Sequence, residues 1–75
     1  MKVTVKLAGG LVHTLGFSGR ELELPPGATA GDLLDAIGAD RSRPLIVGRD
    51  GWAIETDDEV HDRDRILISP VFSGG

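Results

Sequence analysis

The residues with the most chemical promise stand last in the sequence: Phe72-Ser73-Gly74-Gly75, delivered by Ile68-Ser69-Pro70-Val71. Two glycines without Cβ atoms can thread a narrow channel and take up φ/ψ values closed to other residues. The α-carboxylate of Gly75 has an ordinary pKa of about 3.5, so it is ionised at neutral pH. It is a competent nucleophile toward an activated phosphate. Adenylation by ATP turns it into an acyl-phosphate anhydride, from which a sulfur or amine nucleophile displaces AMP. In such a scheme the side chains of the protein do no chemistry. They carry and present a backbone carboxyl.

The other candidates are weaker. The sequence has no cysteine, which removes disulfides, thiolate zinc sites and a cysteine nucleophile. His13 and His61 lie far apart in sequence, and a metal needs three or four convergent ligands. They read as surface histidines, and no metal is expected. Glu55, Asp57, Asp58, Glu59, Asp62 and Asp64 form an acidic run without the glycine and glutamate order of a calcium loop. The run reads as a solvated loop. A sharper reading makes it an electrostatic contact for a basic groove on a partner enzyme. Gly9-Gly10 is too short to cradle a phosphate. No acid, base and nucleophile converge by spacing, so the chain is not expected to be an enzyme. It is expected to bind no cofactor of its own.

Composition narrows the partners. Eight basic residues against twelve acidic ones give a net charge of −4, which argues against nucleic acid and against an anionic membrane surface. The chain has no apolar block long enough to span a bilayer and no signal-peptide pattern, so the expected location is cytoplasmic. Eleven glycines in 75 residues are about twice the usual share of roughly 7%, and their scatter marks them as punctuation. Residues 1–75 read as a single domain.

The elements that must position the tail follow from periodicity. Val3, Val5 and Leu7 alternate with Lys2, Thr4 and Lys6, which predicts a half-buried strand. Leu11 to Ser18 reads as an irregular return or the start of a second strand. Arg20 to Leu24 alternates again and stops at Pro25-Pro26-Gly27. Thr29 and Asp32 form a variant capping box, and Leu33, Leu34 and Ile37 share one helical face, so a helix runs from about Ala30 to Ile37. Pro44 opens a strand through Val47, and Asp50-Gly51 signals a hairpin into Trp52-Ala53-Ile54. Within the acidic run Val60 is the one core anchor.

The last strand, Arg65 to Val71, turns Ile66 and Ile68 to one face and Leu67 and Val71 to the other. Apolar residues on both faces suit a central strand, parallel to the first. The expected fold is α+β: a mixed sheet of four to five strands grasping one main helix. Leu67, Val71, Phe72 and Ser73 would form a docking patch at the base of a flexible tail over 72–75, unless the Leu11 to Ser18 return covers that face. Trp52 either covers the sheet edge or touches a partner.

The chain resembles the ThiS/MoaD family of ubiquitin-like sulfur carriers. The resemblance rests on Val3-Thr4-Val5-Lys6-Leu7, on Glu21 to Thr29, on Asp32-Leu33-Leu34, and above all on Asp64-Arg65-Ile66-Leu67-Ile68-Ser69-Pro70-Val71-Phe72-Ser73-Gly74-Gly75. It implies a ubiquitin-like β-grasp. It also implies that Gly75, with Gly74 beside it, is adenylated by a partner resembling a ubiquitin-activating enzyme. The product is then converted to a thiocarboxylate with sulfur from a persulfide donor. Sulfur would pass to an acceptor synthase subunit in molybdopterin- or thiamine-type cofactor biosynthesis; in the molybdopterin case the chain would be the small subunit of a synthase. Two readings compete: a ubiquitin-like modifier that forms isopeptide bonds to lysines, and a plain β-grasp interaction domain. The sequence departs from the family at Asp62-Arg63-Asp64, where Asp-Gly-Asp is usual, and at Val47-Gly48-Arg49-Asp50-Gly51, where Val-Asn-Gly is common.

Overall fold

Strict alternation in Lys2–Leu7 makes β1, with Val3 and Val5 fully buried and Lys2 and Lys6 in water. The elements after it are α1 (Leu11–Leu15), β2 (Gly19–Glu23), α2 (Ala30–Ala36), β3 (Leu45–Arg49), β4 (Trp52–Ile54) and β5 (Arg65–Pro70). The computed structural model describes residues 1–71. The expected tail 72–75, with Phe72, Ser73, Gly74 and Gly75, lies outside the described residues.

The strands form one sheet in the order β2-β1-β5-β3-β4. β1 pairs antiparallel with β2, setting Val3 against Leu22, and parallel with β5, setting Val5 against Ile66 and Leu7 against Ile68. β3 runs antiparallel to β5 on its other side. The last strand is therefore central, as its two apolar faces predict. Asp50 and Gly51, at φ of +54° and +83°, make a two-residue turn with both central residues in the left-handed region. That turn joins β3 to β4 with the twist a hairpin needs.

The core lies between one sheet face and α2. Val3, Val5, Val47, Ile66 and Ile68 from the sheet meet Ala30, Leu33, Leu34 and Ile37, with Val60 buried at 1% exposure. The capping box forms: Thr29 Oγ1 accepts from the Asp32 N–H, and Asp32 Oδ2 accepts from the Thr29 N–H at 2.9 Å. The acidic loop completes the cap. The Ala30 N–H donates to the Asp58 carbonyl (2.9 Å) and the Gly31 N–H to the Thr56 carbonyl (2.8 Å). First-turn donors without helical acceptors thus find loop carbonyls. Gly38, at φ +77°, follows the helix end.

Leu11 to Ser18 departs from the sequence expectation. It contains the single-turn helix α1, neither an irregular return nor a strand. Leu11, Val12 and Leu15 repeat the i, i+1, i+4 spacing of Leu33, Leu34 and Ile37, and all three pack against the core while half-buried. Gly9 (φ +58°) and Gly16 (φ +83°) turn the chain at its two ends.

Candidate functional site

β5 carries the chain toward residues 72–75, so the surface around its second half is where a presented tail would be handled. Its alternation buries Ile66 and Ile68 and leaves Leu67 48% exposed. The sequence left open whether Leu11 to Ser18 covers this outer face. It does not, because α1 packs at the end of the sheet beside Leu45 and Ala39. Val71 is 46% exposed. Its N–H donates to the Pro44 carbonyl at 3.3 Å, which ties the chain down one residue before the tail begins.

Leu67 and Val71 are brought to different grooves. Val71 lines an open groove of about 430 Å³ with Pro70, Leu45, Pro44, Arg43, Thr14, Leu11 and Gly10. Leu67 lines another, of about 370 Å³, with Ile46, Gly48, Trp52, Ala53 and Arg65, closed at the hairpin by Asp50 and Gly51. Of the expected docking patch, Leu67 and Val71 thus line two separate grooves, and Phe72 and Ser73 lie outside the described residues. Trp52 does not cover the sheet edge; at 78% exposure it stands at the rim of the Leu67 groove. Ile46, also exposed at 46%, and Gly48 were not singled out from sequence. The signal was present: once Val47 faces inward, its neighbours on β3 must face outward.

Among the described residues, no group of three or more His, Cys, Asp or Glu side chains is placed to hold a metal. A half-buried polar cluster around Asp64 is structural. Arg49 Nη1 reaches Asp64 Oδ2 (3.2 Å) and the Glu59 carbonyl (3.0 Å), and Asp64 also accepts from the His61 N–H (2.8 Å). This half-buried pair clamps the acidic loop to β3. Asp40 accepts from the Ser42 hydroxyl (2.6 Å) and N–H (3.0 Å), which hold its carboxyl below the usual carboxylate range, with Arg43 adding to the effect. No described helix is long and apolar enough to cross a membrane.

The ThiS family model matches residues 5–75, nearly the whole chain. The chain belongs to the ThiS family. It is thereby a ubiquitin-like protein of the sulfur-carrier and modifier class. Solved structures agree in fold. SAMP1 from Haloferax volcanii superposes with a TM-score of 0.83 at 25% identity over the full length of both chains. A putative molybdopterin converting factor, subunit 1, from Pyrococcus furiosus gives 0.79 at 26% identity, covering 93% of this chain and 97% of that one. The ubiquitin of Caldiarchaeum subterraneum gives 0.67 at 26% identity, covering 100% and 98%. No curated protein matches the sequence. The β-grasp expected from the strand and helix pattern is therefore the fold of this chain, with five strands and a mixed sheet.

Proposed function

We propose that this protein is a sulfur carrier whose reactive group is the carboxyl of Gly75. The observation that carries the reading is the family match, which runs through Gly74 and Gly75 rather than stopping with the folded body. An adenylyltransferase resembling a ubiquitin-activating enzyme supplies the ATP site. A Gly75 carboxylate oxygen attacks the α-phosphorus of ATP, and pyrophosphate leaves. A persulfide sulfur then attacks the acyl-adenylate carbonyl and displaces AMP, giving an acyl disulfide. A second thiol cleaves that disulfide, leaving a thiocarboxylate on Gly75 and a disulfide on the donor. The thiocarboxylate delivers its sulfur to an acceptor synthase in cofactor biosynthesis. The likeness to the Pyrococcus protein favours a molybdopterin-type acceptor, with this chain as the small subunit of the synthase; a thiamine-type acceptor is the variant.

The geometry supports a carrier that is held at its body and reacts at its end. Gly75 stands four residues beyond Val71, a span of at most about 14 Å when extended. The nucleotide must therefore be bound within that distance of whatever covers Val71. Incubation with ATP, a sulfide source and the adenylyltransferase should raise the intact mass by the difference between sulfur and oxygen. Deleting Gly75 should abolish the change without shifting the unfolding midpoint, because the buried core among the described residues lies between Val3 and Ile68. Unmodified protein, alongside conversion of a control ThiS-family carrier, would overturn the reading.

The similarity to SAMP1 and to an archaeal ubiquitin favours a second reading, protein modification. The chemistry is shared up to the acyl-adenylate, and then a lysine amine takes the place of sulfur. Higher-mass conjugates in cell lysate, lost on deletion of Gly75, would identify it.

A further inference from the structure

The β3–β5 ladder runs out of donors at Val71. The Val71 N–H donates to the Pro44 carbonyl at 3.3 Å, but Pro44 has no N–H to return to the Val71 carbonyl. Before Pro44 the chain is a turn, with the Arg43 N–H donating to the Asp40 carbonyl at 3.3 Å, so no strand runs on beside residues 72–75. Sheet pairing stops at Val71, and it stops at the mouth of a groove.

That groove, of about 430 Å³, lies between Leu11 of α1, Pro44 and Leu45 before and at the start of β3, and Pro70 and Val71. A second depression of about 280 Å³ adjoins it and shares Leu11, Thr14, Arg43 and Leu45. Both are mainly apolar, and both contain one cation, Arg43. No carboxylate among the described residues lines the first. Asp40 lines the second, and it already accepts two hydrogen bonds from Ser42. The one ion pair of Arg43 among the described residues is with Asp40, Nε to Oδ2 at 3.7 Å, and the arginine side chain is largely in water. Its guanidinium is therefore open to a further anion.

We propose that this groove is the resting seat of the chain's own end, with the Phe72 ring against Leu11 and Leu45 and the Gly75 carboxylate beside Arg43. The occupant fits in place, length and charge. Phe72 follows a residue that lines the groove, and the alternation of β5 carried one step further assigns it to the side of Ile66, Ile68 and Pro70, where Leu11 and Leu45 pack against the core. An aromatic residue gains by leaving water for such a depression. The remaining three residues end in an anion, and a chain of four residues spans at most about 14 Å, so Gly75 stays close to the groove's cation. The seat is a property of the free chain. Its consequence alone rests on the sulfur-carrier reading: the end must leave the groove before an adenylyltransferase can load it.

The test is NMR of the full chain by itself, with aromatic rings and methyl groups assigned. The Phe72 ring should show NOEs to the methyls of Leu11 and Leu45. Phe72→Ala should move those methyl signals by removing the ring current, while amide signals of β1 and α2 stay in place. Arg43→Glu, a change at an exposed position, should repel the carboxylate and weaken the NOEs by about threefold or more. Dilution should leave the wild-type NOEs unchanged. The proposal is overturned if Phe72 touches neither leucine, which leaves the groove to a partner, or if the NOEs fade on dilution, which gives it to the end of a second copy. Undiminished NOEs in Arg43→Glu would also overturn it, since the placement of Gly75 rests on that charge. The sample contains no ATP and no enzyme. Failure of sulfur transfer would therefore leave this result untouched, and an empty groove would leave the carrier chemistry standing.

Discussion

Arg63 occupies a backbone conformation that its side chain disfavours. Its φ of +68° lies in the left-handed region, where a Cβ costs about 1–2 kcal/mol. The surrounding hydrogen bonds hold it there. The Arg63 N–H donates to the Lys2 carbonyl at 2.6 Å, and Asp62 Oδ1 accepts from the Lys2 N–H at 2.8 Å. This turn therefore pins the start of β1 beside the start of β5 and sets their parallel register. The side chain is exposed and makes no ion pair among the described residues. Arg63→Gly should raise stability by about 0.5–1 kcal/mol, as relief of the Cβ strain exceeds the added entropy of the unfolded chain. Arg63→Ala, which keeps the Cβ, should gain nothing. Urea unfolding of the two variants checks this; a loss on introducing glycine would show that the arginine side chain stabilises the turn. The family's usual glycine at this point thus has a physical cause in this chain's own backbone.

At the scale of elements, α2 is short and depends on its cap. Seven residues make a marginal helix in isolation, so its first turn has to be held by other groups. The Thr29–Asp32 box and the loop carbonyls of Thr56 and Asp58 do this. Thr29→Ala should cost about 1 kcal/mol and Thr29→Ser much less, measured by denaturant unfolding. Equal losses in the two variants would mean that the methyl group, not the hydroxyl, matters. The same element shows why the acidic run is more than a solvated loop. Its main chain caps a helix, while the side chains of Glu55, Asp57, Asp58 and Glu59 remain exposed and Asp64 is half-buried against Arg49. That role was not legible in the sequence, because hydrogen bonds from a helix start to a loop some 25 residues on leave no periodic trace. The helix α1 was legible and was missed. Its apolar spacing matches that of α2, but Gly9, Gly10 and Gly16 crowd so short a segment that they read as loop punctuation.

The whole molecule is one sheet with two unlike faces, and adjacent residues of β5 divide between them. Ile68 is fully buried and Leu67 is half in water. Ile68→Ala should cost about 2–5 kcal/mol, because it opens a cavity against Val47 and Leu7. Leu67→Ala should change stability by less than about 0.5 kcal/mol while weakening capture by the activating partner. Chemical denaturation and binding measured on both variants separate the roles. If Leu67→Ala destabilised the fold as much as Ile68→Ala, the outer face would be part of the core and could not dock a partner.

Local pattern alone determined the five strands and the main helix, the hairpin at Asp50-Gly51, the inward residues of these elements and the chemical promise of the Gly74-Gly75 end. Periods of 2 and 3.6 and the turn residues act over a few neighbours, so a linear reading captures them. Only the tertiary structure decided that Leu67 is half exposed among the described residues and that Gly48 lines one groove with it, Ile46 and Trp52. Each of these depends on which strands become neighbours after two crossovers. Pairing β5 between β1 and β3 joins residues some 20 to 60 positions apart, and nothing in the spacing of either segment encodes that meeting.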